Sequence, residues 1–317
     1  MRSRVNSDAG AEGITDRNLG FRAAKTCVLL RFFASAGLKP KTKMSSSTQL
    51  DSEKIRDYVR ERYGAIATQA NEPAASGCGC SGPATSSSCC DASGQAYGEK
   101  LGYTAEQLAA APAGADLGLG CGNPLAIASI QPGETVLDLG SGAGFDCFLA
   151  ARQLKGTGRV LGVDMTPAMI SKARGNARKS GFANVEFRLG EIEALPVADA
   201  SVDLIMSNCV INLSPEKPRV LREAFRVLRP GGRLAIADIV ATQPLPAKVR
   251  EKLTLIGACV AGAALISDLQ TWLTEAGFRQ IEIKPREASR TLINEWTEDT
   301  RAGDFVVSAL ITAVKPA

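Results

Sequence analysis

From Glu134 onward, short apolar runs and amphipathic segments alternate along the chain. The apolar runs predict strands at 134–139, 159–163, 184–189, 201–206 and 232–239. Between them, apolar positions recur at helical spacing over 144–155, 167–180 and 216–229. Strands alternating with helices predict an α/β fold, a mostly parallel doubly wound sheet covered on both faces. Pro230-Gly231-Gly232 closes the last of these helices before its strand. Beyond it, helical patterns around Leu253, Ile256, Cys259 and Val260, and around Leu269, Trp272 and Leu273, precede terminal strands at 279–284 and 304–313. Upstream, Ile55, Tyr58, Val59, Tyr63 and Ile66 recur at helical spacing and predict a helix over Asp51–Ala67. A second helical segment is expected toward Leu108.

Two stretches break this rhythm. Residues 71–96 are dominated by Gly, Ser, Ala and Pro, have little to bury, and carry Cys78, Cys80, Cys89 and Cys90. Residues 1–43 hold nine basic and three acidic residues, with a basic amphipathic middle, GFRAAKTCVLLRFFASAG. Met44 opens a sequence that reads as a natural beginning, so 1–43 is expected to be a leader or disordered extension. The partition is therefore 1–43; an N-terminal helix, cysteine-rich loop and covering segment over 44–130; a cofactor-binding core over 131–240; and a substrate segment with the final strands over 241–317. The protein is expected in the cytoplasm, or in an organelle if 1–43 is a transit peptide.

Composition narrows the chemistry. Apolar content of 45% and charge of 22% suit a globular protein, and no apolar run reaches transmembrane length. The net charge of +4 comes from the leader; the remaining 28 basic and 30 acidic residues offer no basic face for nucleic acid. No histidine is present, which excludes Ser-His-Asp and Cys-His nucleophiles and imidazole ligands. Nine cysteines are many and odd in number, so they do not all pair within one chain. The spacing of the 78–90 cluster is not that of a zinc finger. Mobile thiols that reach a thiophilic ligand, or make and break disulfides, are the expected use. Cys121, set among Gly118, Gly120, Gly122 and Pro124, is expected to be accessible. Cys147, inside a predicted helix, reads as a packing residue.

Four signals fall at the carboxyl ends of successive predicted strands, the edge where open α/β sheets bind ligands. They are the turn Asp138, Gly140, Ser141, Gly142 and Gly144; Asp164 with Met165, 24 residues beyond Gly140; Glu191 with Ile192; and Asn208 with Cys209. An acid at 164 suits ribose hydroxyls. The dinucleotide fingerprint G-x-G-x-x-G lacks its third glycine here, Phe145 and Asp146 following Gly144 instead, which leaves NAD as the second choice.

The run DLGSGAG, then VDMTPAM, then GEIEALPVADASVD resembles the class I S-adenosylmethionine (SAM)-dependent methyltransferases, with their Rossmann-like sheet. That resemblance implies that the 140–144 turn meets the methionine part, with Ser141 and Met165 in the same site. It further implies that Asp164 holds the ribose, that Glu191 and Ile192 border the adenine, and that Asn208 orients the cofactor end. Within such a fold Cys209, Cys121 and Cys259 converge over the methyl group. Three soft thiolates without imidazole select a thiophilic ion or metalloid.

The segments RYGAIA, LGCGNPLAIASI, DLGSGAGFDCFLAARQ, SNCVINLSPEKPRVLREAFRVLRPGGRLAIADIV and GACVAGAAL, spread over about 52–296, resemble the arsenite methyltransferases. The resemblance implies that Cys121, Cys209 and Cys259 bind As(III), and that an earlier cysteine, Cys89 or Cys90, joins a redox disulfide. It implies SAM as methyl donor, As(III)–thiol adducts as substrate, and glutathione or thioredoxin as reductant. A monomer is expected. Two rivals remain: a SAM-dependent methyltransferase of a small organic molecule, and a non-catalytic thiol-rich As(III)-binding protein.

Overall fold

A computed structural model describes residues 51–69, 92–296 and 301–317. Cys27, Cys78, Cys80, Cys89 and Cys90, with the expectations resting on them, lie outside the described residues, as does the leader.

Among the described residues four helices precede the first strand: α1 (Ser52–Gln69), α2 (Ala92–Leu101), α3 (Ala105–Ala110) and α4 (Leu125–Ala128). The alternating core follows as β1 (Thr135–Leu139), α5 (Phe145–Gln153), β2 (Arg159–Asp164), α6 (Pro167–Lys179), β3 (Val185–Leu189), β4 (Val202–Asn208), α7 (Lys217–Val227) and β5 (Leu228–Ala241). A 3-10 turn, Ile211–Leu213, leaves β4. After β5 come α8 (Ala247–Arg250), α9 (Leu253–Ile256), β6 (Ala264–Leu265), α10 (Ile266–Ala276), β7 (Arg279–Arg286), α11 (Ser289–Trp296) and β8 (Val306–Val314). The sequence pattern misses the short α4, α8 and β6 and also α11, and it assigns 92–96, where α2 begins, to the low-complexity stretch.

The eight strands form one sheet in the order β3-β2-β1-β4-β5-β8-β7, with β6 paired to β5 off that path. Strands β1 to β5 run parallel, and β8 is antiparallel to both neighbours. The chain runs outward from β1 through β2 to β3, then returns to β4 on the other side of β1. Leu139 is level with Val163 on one flank and Ser207 on the other, so the strand ends and their turns meet at this reversal. Such a switch point opens a crevice for a ligand.

Local chemistry explains the elements. Strand β1, TVLDL, is buried throughout, as a central parallel strand must be. Helix α6 starts on Pro167, whose missing N–H costs nothing there, and ends on Arg178 and Lys179, which suit the negative end of its dipole. Helix α7 buries Val220, Leu221, Ala224 and Val227 on one stripe against the sheet.

Candidate active site

The turn after β1 takes positive φ at all three glycines, 70° at Gly140, 52° at Gly142 and 95° at Gly144. Their neighbours differ. A side chain at Gly140 would collide with Val210, and one at Gly144 with Phe148 and Phe187. At Gly142 nothing lies within 4 Å. So the outer glycines admit packing partners, and only the middle one faces open space. Gly144 does not line the cavity, contrary to its expected place among the cofactor contacts. The turn is anchored by the N–H groups of Gly140 and Ser141, which donate to Val163 O at 2.8 and 3.0 Å. Asp164, at the end of β2, accepts from Gly142 N at 3.0 Å and Thr166 N at 2.8 Å.

Above this turn lies a cavity partly open to solvent, with about 1200 Å³ of empty space counted together with its solvent-filled mouth. Of the predicted cofactor residues, Asp138, Gly140, Ser141, Gly142, Asp164, Met165, Ile192 and Asn208 line it. Tyr97 and Tyr103 also line it. Glu191 does not. Its carboxylate turns to α1, pairing with Arg60 at 3.4 Å and Arg56 at 3.8 Å, because two guanidinium groups one helical turn apart face it. The neighbouring Glu193 lines the cavity instead, and accepts from Ser214 Oγ at 2.6 Å and Arg56 at 3.5 Å.

The cavity wall suits a cationic ligand. Asp138 is buried and accepts the Cys147 thiol proton at 3.2 Å. Asp146 accepts from Tyr103 Oη at 2.6 Å and Asn208 Nδ2 at 3.1 Å. Burial raises both carboxyls above their ordinary range, and the charge of Asp146 raises Asp138 further. Burial also raises Asp164 against its two backbone hydrogen bonds. Buried acids of this kind are stabilised in their charged form by an opposite charge, and SAM brings an ammonium and a sulfonium. The buried Ser141 hydroxyl makes no hydrogen bond among the described residues, which leaves it free for a polar ligand. A pyrophosphate would meet three carboxylates here, which disfavours NAD. The donor set therefore fits SAM.

Asn208, on the cavity wall, is also tied into the loop before β1. Its Oδ1 accepts Cys121 N at 3.1 Å, and its Nδ2 donates to Gly122 O at 2.9 Å as well as to Tyr103 and Asp146. It thus ties the cavity wall to the 118–122 loop. The loop's glycines follow from that closeness: a side chain at Gly120 would meet the Asn208 amide, and one at Gly122 would meet Ala237.

Cys121, Cys209 and Cys259 come together in one buried cluster beside the cavity. Cys121 and Cys209 are joined as a disulfide, so two of the three expected free thiols are bonded to each other in this state. Nor is Cys121 accessible. It is 3% exposed, held by Asn208 at its N–H and by Ser308 Oγ at its carbonyl at 2.8 Å, because the glycines that remove side-chain cover also let the loop sink onto β5. Cys259 keeps a free thiol that donates to Cys209 O at 3.0 Å. Burial and the nearby Asp238 raise this thiol well above its ordinary range, so it is protonated at neutral pH. Cys209 lines the cavity, and both it and Cys259 adopt φ of 59°. Left-handed backbone is uncommon outside glycine, and residues held there cluster at functional sites. Cys147, buried in α5, packs away from this cluster as expected.

Residues 130–277 match the methyltransferase domain family. The arsenite methyltransferase of Halobacterium salinarum is 54% identical over 270 residues, covering 84% of this chain and 68% of the relative. The chain belongs to the arsenite methyltransferase family. The human arsenite methyltransferase is 40% identical over 152 residues, a match that spans only 40% of that relative. The solved structure of an arsenic (III) S-adenosylmethionine methyltransferase from Chlamydomonas reinhardtii is similar with a TM-score of 0.51 and 35% identity, covering 70% of this chain and 73% of that one. A phosphoethanolamine N-methyltransferase of Haemonchus contortus, 20% identical with a TM-score of 0.52, shares the fold. The fold is that of the class I SAM-dependent methyltransferases, and the chain is an enzyme of that group.

For a member of this family the thiol cluster has buried polar support that sequence reading passes over. Asp238 sits in AIADIV, and an acid inside an apolar strand is the signal that could have found it. One of its carboxylate oxygens lies within 4.8 Å of the Cys121 and Cys209 sulfurs. Burial pushes its carboxyl up to about 7 despite hydrogen bonds from Ile239, Asn212 and Ile211 and the charge of Lys217. Lys217 is itself pulled down to about 8 by burial. From α1, Tyr63 lines the cavity and donates to Gly257 O at 3.4 Å, two residues before Cys259. Among the described residues no helix is long and apolar enough to cross a membrane.

Proposed function

We propose that this enzyme methylates trivalent arsenic held by Cys121, Cys209 and Cys259. The observation that carries the reading is the buried cluster of these three cysteines, drawn from three distant parts of the sequence, with Cys209 on the wall of the SAM cavity. Bound SAM supplies an electrophilic methyl group. Asp138, Ser141, Gly142, Asp164, Met165 and Ile192 hold it, and Asn208 fixes the cavity wall to the Cys121 loop.

The oxidised pair must first open. Two thiols of glutathione, or the dithiol of thioredoxin, reduce the Cys121–Cys209 disulfide to two cysteine thiols and leave as a disulfide. Each cysteine then displaces one thiol from an arsenic–thiol adduct, the cysteine proton leaving with the departing thiol. Arsenic held by three sulfurs keeps its lone pair and carries no proton, so its attack needs no general base. That suits a protein with no histidine. Positioning of the two reactants supplies much of the rate.

The test is incubation of the protein with SAM, glutathione and arsenite, followed by chromatographic separation of arsenic species. Methylated arsenicals are expected; their absence from protein that binds SAM would sink the reading.

A further inference from the structure

Cys209 and Cys259 hold the same left-handed backbone in separate turns, one leaving β4 and one following α9. A residue held there lies about 1–2 kcal/mol above the right-handed form, so something must keep each turn in place. Two polar contacts join the turns directly. One is the Cys259 thiol donating to Cys209 O at 3.0 Å. The other is Asn212, whose Nδ2 donates to Cys259 O at 3.3 Å. The same amide nitrogen donates to Asp238 Oδ1 at 2.9 Å and Ile239 O at 2.5 Å.

These contacts have different fates when arsenic arrives. The Cys259 thiol loses its proton on forming a sulfur–arsenic bond, so its hydrogen bond to Cys209 O disappears. The Asn212 amide does not titrate and remains. Asn212 stands three residues after Cys209, and its base is fixed by Asp238 Oδ2, which accepts from Asn212 N at 3.3 Å and Ile211 N at 3.0 Å. On the Cys259 side, a side chain at Gly262 would collide with Asn212 O, so the chain after Cys259 passes directly over this residue. Asn212 is 4% exposed and does not line the SAM cavity.

We propose that Asn212 is a positioning residue: it acts as a strut that sets the spacing of the Cys209 and Cys259 sulfurs for trivalent arsenic. The proposal rests on the arsenic reading above and adds a residue that touches neither SAM nor arsenic.

The experiment uses the full chain under a phosphine reductant and measures phenylarsine oxide, a trivalent arsenical that takes two thiols. Cys121→Ser leaves the Cys209–Cys259 pair, whose spacing Asn212 sets. Cys259→Ser leaves the Cys121–Cys209 pair, which Asn212 does not bridge. Asn212→Ala should weaken phenylarsine oxide binding about ten-fold in the first background and less than about two-fold in the second, as expected for losing one buried hydrogen-bonded strut. Asn212→Ser supplies a second variant, because its side chain is one bond shorter and falls short of Cys259 O while keeping a polar group at this position; it should reproduce the same split. SAM affinity, measured by calorimetry, should stay within about two-fold throughout. Equal loss in both backgrounds, or no loss in either, overturns the proposal. If the unsubstituted chain binds no arsenical, the arsenic reading itself fails and the strut falls with it; if that chain binds and the Cys121→Ser parent does not, Cys209 and Cys259 are not held as a pair and the strut alone is overturned.

Discussion

Two sets of turns at the same sheet edge both need left-handed backbone, and they meet the need differently. After β1 the chain uses glycine at 140, 142 and 144, where positive φ carries no steric penalty. After β4 and α9 it uses Cys209 and Cys259, where a side chain must be carried in a conformation that resists it. The glycine turn needs only neighbours that fit: Val210, Phe148 and Phe187 fill the places where side chains would stand. The cysteine turns need a buried polar scaffold, supplied by Asn212 and Asp238. A ligand bound by backbone permits glycine, whereas a ligand bound by sulfur does not, and the strain follows from that.

The contrast predicts a separation of functions. Cys209→Ser should abolish arsenic methylation, by at least about 100-fold, because two oxygen-poor sulfur contacts cannot replace three for this soft metalloid. SAM affinity should stay within about two-fold. Arsenic speciation and calorimetry on the same preparation check both halves, and retained turnover breaks the assignment of this turn to substrate.

On the other side, Gly140→Ala should weaken SAM binding and destabilise the fold by about 2–4 kcal/mol, through overpacking against Val210 together with its φ of 70°. Urea denaturation reads the stability. Adding Val210→Ala should recover part of the loss. No recovery would mean that backbone strain alone dominates at this turn.

Buried acids with raised carboxyls lie under both sets of turns, and the one under the thiols carries a pH dependence of its own. Asp238, under the thiol turns, keeps its proton up to about pH 7 in the fold, whereas an exposed aspartate releases it near pH 4. Its contribution to stability is therefore fully present below about pH 4 and is lost as pH rises to about 7. Between pH 5 and 8 the ligand-free protein should lose on the order of 2 kcal/mol from this group. Asp238→Asn should flatten that slope, while lowering stability at every pH because the Asn212 and Ile239 donors lose acceptors. Urea midpoints across this range decide, and an unchanged slope in the variant would remove Asp238 as its source.

The smallest effect sharpens the strain argument itself. Cys259→Gly relieves a left-handed side chain of about 1–2 kcal/mol while losing a small buried group, so stability should change by less than about 1 kcal/mol. Cys147→Gly, in the right-handed interior of α5, should cost about 2–3 kcal/mol through helix propensity and a cavity. Similar losses at both sites would show that Cys259 is not strained.

Much of this site was legible in the chain. The period of apolar positions located β1 to β5, and DLGSGAG located the turn, because strand ends and glycine needs are local properties. Asp164 and Met165 were found by their distance from that turn and do line the cavity. The pairing of Glu191 with Arg56 and Arg60 is not legible there, because those residues stand more than a hundred positions earlier on α1. Nor is the tie between the Asn208 amide and the 118–122 loop, which no spacing rule brings near it.

By itself, the sequence determined the strand–helix alternation, the glycine turn, the absence of imidazole and the isolated cysteines at 121, 209 and 259. Each is a property of residue type or short-range spacing. Only the tertiary structure decided which groups meet. It folded the Cys121 loop onto β5 and joined its sulfur to Cys209, and it placed Cys259 over the same spot. It also set Asn212 between the Cys209 and Cys259 turns. Those contacts arise from sheet order and register, which bring the ends of β1, β4 and β5 together, and no local pattern in the chain encodes them.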